Sequence, residues 1–259
     1  MEDFYIKVLH DHGLGNTIQC TPTIIGLAHY YNRKIPIYFE LEWLKAGYEK
    51  WNLITILDKP QGRLLIDTAE STRHKNTSQS DWKFIYEYTE CLLGIHMERP
   101  IPRTYIDSQD DGKRVSDYIV VCCGCAPNSI WERHKIPSTE TYVNLIQQIR
   151  YPIVLVGSQR DYDLYLHYIM EGAISCGKSV NVILDDIRQS IKFIEKAKFI
   201  ISNDTGNAHV AAVFNKPTYI LWKNTYYLKN STQGKHHTVV MSEHWLSQFP
   251  LFLAKWQTQ

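Results

Sequence analysis

Residues Lys198–Trp222, KFIISNDTGNAHVAAVFNKPTYILW, decide how the rest of the chain is read. Phe199-Ile200-Ile201 is a short apolar run of the kind that forms a buried strand. It stops at Ser202-Asn203-Asp204-Thr205-Gly206, where Asn203, Asp204 or Thr205 could each cap a following helix. Ala208, Ala211 and Ala212 then recur at helical spacing and are small enough to lie close to a sheet. The helix is expected to end near Asn215, and Pro217 opens a second buried strand, Thr218–Trp222. A strand–helix–strand unit with a polar, glycine-containing turn presents helix N–H groups and a positive dipole end. An anion, in particular a nucleotide phosphate, fits at Asp204-Thr205-Gly206. A capped turn also needs no ligand, so both readings stand at this point.

The same alternation runs through the chain in both directions. Phe4–Leu9 reads as a first strand, followed by a turn at His10-Asp11-His12-Gly13-Leu14-Gly15-Asn16 and a helix from about Thr17 to Tyr31. Pro22 is expected in its first turns, where proline is tolerated. Strands at Pro36–Phe39, Leu53–Leu57 and Arg63–Ile66 follow, with helices at Glu42–Tyr48 and Trp82–Leu93. Residues 100–113, PIPRTYIDSQDDGK, lack periodicity and mark a boundary. Beyond it come strands at Asp117–Cys123, Pro152–Val156 and Val180–Leu184. Helices are expected at Ser138–Arg150, Asp161–Gly172 and Asp186–Ala197. The pattern is that of an α/β protein with two Rossmann-like, doubly wound parallel sheets facing across a cleft. The domains are predicted as residues 1–112, 113–241 and a terminal helix over 242–259 that could cross back to the first domain, with Pro250 kinking or splitting it.

Composition narrows the function classes. The chain has 259 residues, 44% of them hydrophobic, enough for two domains with real cores. A net charge of +1 gives no global pull towards nucleic acid or membrane. No apolar run is long enough to span a bilayer, and Met1-Glu2-Asp3-Phe4 does not begin a signal peptide, so a cytoplasmic protein with reduced thiols is expected. Among six cysteines, Cys122 and Cys125 form a lone C-x-x-C without a second pair or nearby histidine, which reads as a strand end and not as a metal or redox site.

Three groups of residues can carry chemistry. The turn after the first strand supplies His10, Asp11 and His12, all able to move protons, at the sheet edge where open α/β folds bind ligands. Gly13-x-Gly15 there lacks the third glycine of a dinucleotide fingerprint, which argues against NAD. The loop before the Ser138 helix carries Arg133, His134 and Lys135, cations able to neutralise a leaving diphosphate. Asp110-Asp111 and Asp185-Asp186 are paired carboxylates, found more often at caps and in linkers than around a metal.

Taken in order, these landmarks resemble glycosyltransferase family 9, the heptosyltransferases. Ser202–Ala212 followed by Lys216-Pro217 is similar to the family's N-D-T-G-x-x-H-x-A-A and G-K-P signature. Gly13-Leu14-Gly15-Asn16-Thr17-Ile18 with Thr21-Pro22 resembles its G-x-G-D-x-I-x-x-T-P turn. Val154–Ser158 and Arg133–Pro137 resemble two further landmarks. The resemblance implies a GT-B fold and inverting, metal-independent transfer with no cofactor, the donor substrate being a nucleotide-diphosphate sugar. It implies that Asp204, Thr205 and Gly206 cradle the diphosphate, that His209 lies one turn in near the ligand, and that Arg133 or Lys135 balances the phosphates as they leave. Where the family carries an aspartate taken as the base, this chain has Asn16, an amide that cannot accept the proton. Asp11 is the replacement candidate, with His10 and His12 next. The implied acceptor is a surface glycan or a lipid-linked, lipopolysaccharide-type molecule, with the enzyme cytoplasmic and able to work at the inner membrane face. Two alternatives accompany this reading: transfer to a modified base of nucleic acid, and a sugar-nucleotide binding module without catalysis.

Overall fold

The computed structural model describes residues 4–8, 13–67, 81–98, 104–108, 116–125, 135–223 and 234–256. The chain divides into two compact units, Met1–Asp107 and Ser108–Gln259.

In the first unit the elements are β1 (Phe4–Val8), α1 (Leu14–Tyr31), β2 (Ile35–Phe39), α2 (Glu42–Lys45), β3 (Ile54–Leu57), β4 (Arg63–Asp67) and α3 (Asp81–Leu93). The four strands form a parallel sheet in the order β3-β2-β1-β4. Helix α1 starts earlier than the glycines suggest. Leu14 and Ile18, four residues apart, are both buried and draw the first turn onto the core. Gly13 is therefore the N-cap, its carbonyl accepting from Thr17 N–H at 3.2 Å, and Gly15 and Asn16 lie inside the helix instead of in a turn.

Pro22 consequently falls in the helix interior, where it removes the N–H that would bond the Ile18 carbonyl. The Thr21 hydroxyl takes its place, donating to Ile18 O at 2.7 Å, and itself accepts from the Tyr105 backbone N–H at 2.8 Å. Residues 104–107 are tied to this unit by further contacts. The Tyr105 ring stacks on Trp51 with centroids 4.5 Å apart, and Ile106 is buried. The Asp107 carboxylate accepts from Lys50 N–H and Tyr105 O–H, both at 2.9 Å. These contacts explain why the division falls after Asp107, earlier than the boundary predicted after residue 112.

In the second unit the elements are β5 (Ile119–Cys122), α4 (Thr139–Gln147), β6 (Ile153–Gly157), α5 (Gln159–Asp161), a π-helical turn (Tyr162–Leu166), α6 (His167–Ser175), β7 (Val180–Leu184), α7 (Ile187–Lys196), β8 (Ile200–Asn203), α8 (Gly206–Val213), β9 (Thr218–Trp222), β10 (His237–Met241), a 3-10 turn (Ser242–His244) and α9 (Trp245–Trp256). Its six parallel strands are ordered β10-β9-β8-β5-β6-β7. From β5 the chain builds outwards to β7, then returns to place β8 on the other side of β5. That reversal makes the carboxyl ends of β5 and β8 a topological switch point, the place where such sheets bind ligands.

Strand β10 is an element that the sequence reading missed. Helix α9 runs through Pro250 without splitting. Its aromatic face packs within the second unit. Phe249 and Phe252 pack on Tyr219, Phe252 also on Phe199, and Trp245 and Trp256 join the same core.

Candidate active site

Strand β8 delivers Ser202 and Asn203, both fully buried, to the switch point. The chain then turns through Asp204 and Thr205 into α8. Thr205 is the N-cap in extended backbone geometry, yet its side chain makes no capping hydrogen bond. No acidic residue lies in the first turn. Thr205 thus offers the first N–H groups no side-chain acceptor, the Ala208 N–H donating to the Thr205 carbonyl at 3.1 Å, and no acid in the first turn neutralises the positive end of the helix. The Asn207 side chain bonds the Cys122 thiol at the end of β5, so the helix start is seated over the β5–β8 junction. His209, one turn in, is buried.

Two contacts bring the end of the basic loop to this helix. Lys135 Nζ lies 2.6 Å from Asp204 Oδ2, with both side chains partly shielded from water. Lys223, just past β9, donates to the Ile136 carbonyl at 3.1 Å, while the Ile136 side chain is buried in the core. Lys135 is therefore held beside the α8 N-terminus by an acid from β8 and, one residue on, by a lysine from β9. A helix dipole and a fixed ammonium group side by side are the chemistry that suits a phosphate-type anion.

The other side of the switch point is closed by Asn203 and Asp161. Asn203 Nδ2 donates to the Gly124 carbonyl at 2.9 Å and its Oδ1 accepts from Gly124 N–H at 3.3 Å. Tyr142 O–H stands 3.3 Å from that same Oδ1 and 3.3 Å from the Cys122 carbonyl. Asp161 forms a capping box with Ser158, its Oδ2 accepting from Ser158 N–H at 3.0 Å and Ser158 O–H at 2.7 Å. Its Oδ1 is buried and has no hydrogen-bond partner among the described residues. A Cβ on Gly124 would meet this carboxyl, so a larger residue there would have to displace the Asp161 side chain. Burial raises the Asp161 pKa above the usual carboxylate range. The π-helical turn that follows directly is an irregularity common at functional sites.

Of the residues singled out from sequence, the structure brings together Lys135, Asp204, Thr205, Gly206 and His209. Gly13, Gly15 and Asn16 sit at the N-terminus of α1, at the carboxyl end of β1. His10, Asp11, His12 and Arg133 lie outside the described residues. The paired carboxylates Asp185 and Asp186 act as caps: Asp185 Oδ2 accepts from Gln159 N–H at 3.0 Å and Asp186 Oδ1 from Gln189 N–H at 2.9 Å. Burial pushes the Cys122 and Cys123 thiols well above their ordinary range, which leaves them protonated and poor as nucleophiles or metal ligands. Among the described residues no group of three His, Cys, Asp or Glu could hold a metal, and no helix is long and apolar enough to cross a membrane. Asn203, Tyr142, Asp161 and Lys223 were missed as site residues. Only Asp161 left a readable sign, the Ser158-x-x-Asp161 capping spacing directly after a strand.

No curated protein sequence matches the chain. Solved structures do. The glycosyltransferase family 9 protein from Veillonella parvula DSM 2008 is 12% identical with a TM-score of 0.71, over 98% of this chain and 89% of that one. E. coli heptosyltransferase WaaC with ADP is 12% identical with a TM-score of 0.65, over 97% and 99%. E. coli ADP-heptose lps heptosyltransferase II is 12% identical with a TM-score of 0.63, over 100% and 98%. At such identities the likeness establishes the fold, and that fold is GT-B. The sequence model of glycosyltransferase family 9 (heptosyltransferase) matches residues 93–249, more than half of the 259. Since that match takes in β5, the Lys135–Asp204 pair and the β8–α8 turn, the chain belongs to glycosyltransferase family 9 and is a heptosyltransferase-like glycosyltransferase.

Proposed function

We propose that the protein transfers a sugar, with inversion at its anomeric carbon, from a nucleoside-diphosphate donor to an acceptor hydroxyl on a surface glycan of the lipopolysaccharide type. The observation that carries this reading is the uncapped N-terminus of α8 at the β5–β8 switch point, with Lys135 held beside it. Such a site gains most when charge develops on the diphosphate. As the C1–O bond to the β-phosphate breaks, negative charge collects on phosphate oxygens that face oriented N–H groups and an ammonium group. A metal is not needed for that step. Asp161 Oδ1, buried and without a partner among the described residues, suits a donor hydroxyl of the ribose or the sugar. The solved WaaC structures with ADP and with ADP-2-deoxy-2-fluoro heptose favour an ADP-linked heptose as the donor.

On the acceptor side a base must take the hydroxyl proton while that oxygen forms its bond to C1. Asn16, at the third position of α1, cannot do so. Asp11 is assigned the role, with His10 and His12 beside it in sequence.

Incubating the protein with ADP-, GDP- and UDP-linked sugars and a truncated lipopolysaccharide core tests the reading, with product configuration read by NMR. The expected result is turnover of one nucleotide class with an inverted linkage. Asp11→Asn should abolish turnover while leaving donor affinity near wild type. Donor binding without turnover on any acceptor would instead identify a binding module, the role that Asn16 in place of an acid allows.

A further inference from the structure

We infer that Asn203 is a positioning residue for the donor, fixing Gly124 as its neighbour Asp204 fixes Lys135. This rests on the donor-phosphate reading of the α8 N-terminus. Asn203 ends β8 and Asp204 follows it directly. Asp204 pairs with Lys135. Asn203 makes two hydrogen bonds to the backbone of Gly124, one to its carbonyl and one from its N–H.

The geometry continues the sheet by other means. Strands β5 and β8 are in register up to Cys122 and Ser202. One step further the backbones part, and the Asn203 amide supplies the donor and acceptor that a strand would have offered. Gly124 is thus held on its polar edges by Asn203 and pressed on its Cα by the Asp161 carboxyl. The Asn203 side chain is fully buried, and Tyr142 O–H reaches its Oδ1. A helix cap at this position would need none of these long-range contacts, and Asn203 caps nothing here, since α8 begins at Thr205. What the contacts accomplish is to hold Gly124 at a set distance from the α8 N-terminus. Nucleotide-diphosphate affinity then depends on Asn203 although it carries no charge.

The test is isothermal titration of ADP, with GDP and UDP alongside, into wild type, Asn203→Leu and Asn203→Asp, each run below its own unfolding temperature. Asn203→Leu strands the Gly124 N–H and carbonyl and should weaken binding of the preferred nucleotide by about tenfold. Asn203→Asp covers the case in which the leucine variant does not fold. A carboxyl at this buried point has a raised pKa. Protonated, it can donate to the Gly124 carbonyl as the amide does; ionised, it repels that oxygen. Asn203→Asp should therefore bind within about twofold of wild type near pH 5 and about tenfold more weakly near pH 8. Of the groups around the same point, Asp161 titrates in both proteins while burial keeps Cys122, Cys123 and Tyr142 protonated, so the wild-type profile serves as the baseline. Parallel profiles for wild type and Asn203→Asp, or equal affinity in Asn203→Leu, would overturn the inference and leave the donor site standing. A wild type that binds none of the three nucleotides would remove the donor site and the inference with it.

Discussion

The Lys135 ammonium group and the Asp204 carboxylate lie 2.6 Å apart, so two of the residues assigned to the donor phosphates are paired with each other. A carboxylate is an unfavourable neighbour for a diphosphate, and its use here is to aim the lysine. Asp204→Ala and Lys135→Ala should each weaken nucleotide-diphosphate binding by about tenfold, at a stability cost of no more than about 1 kcal/mol for a partly exposed pair. The double variant should be no worse than Lys135→Ala alone, since Asp204 acts through the lysine. Titration calorimetry on all four proteins closes the cycle. Additive losses would mean that Asp204 meets the ligand on its own account.

Asp161 should trade stability for function. Burial raises its pKa, so the folded protein holds the proton more tightly than the unfolded chain. Its stabilising contribution is complete below the ordinary carboxylate pKa of 3.8 and is lost as pH rises through the raised value. At neutral pH the ionised group is a liability, and Asp161→Asn, which keeps an acceptor for Ser158, should raise Tm by about 2 °C. That gain should shrink towards pH 4 as both proteins become neutral there. Donor affinity should fall, because an Asn amide is a weaker acceptor for a hydroxyl than a carboxylate. Thermal melts across pH with matched titrations would show it. A variant less stable at pH 7 and equally stable at pH 4 would reverse the sign and sink the account.

Much of this was legible locally, and what was not has a common cause. The β8–α8 unit announces itself because an apolar run, a cluster of small polar residues and a helix-spaced set of alanines sit next to one another. Helix α1 was read three residues short, since Gly13 and Gly15 look like a turn until the burial of Leu14 and Ile18 is known. Strand β10 was invisible. It is an edge strand that packs parallel to β9, and only Val240 of its five residues is fully buried, so it carries little apolar pattern. The Asn203–Gly124 contacts join residues 79 apart in sequence, and nothing near either residue points to the other.

The proline inside α1 is tolerated because Thr21 repairs the bond it breaks. Thr21→Val would leave the Ile18 carbonyl buried and the Tyr105 N–H half-buried without their present partner, and should cost about 1–3 kcal/mol. Pro22→Ala restores an N–H in reach of Ile18, so in the Thr21→Val background it should recover part of the loss. Urea unfolding of the single and double variants measures this. If Pro22→Ala gives the same change with and without Thr21, the hydroxyl is not the substitute donor.

Thr205 offers a substitution whose effects on stability and binding should have opposite signs. It occupies the N-cap of α8 without capping it. Thr205→Asp would offer the first-turn N–H groups a side-chain acceptor and place a negative charge at the positive end of the helix, a gain of about 1 kcal/mol. The same carboxylate would fill the seat proposed for the diphosphate and repel it, weakening nucleotide binding at least about tenfold. A more stable protein that no longer holds the nucleotide would mean that the vacant cap is kept for the ligand. If Thr205→Asp gains the stability and binds as before, the phosphates lie elsewhere. If it gains none, the helix end already has an acceptor and the electrostatic basis of the donor site fails.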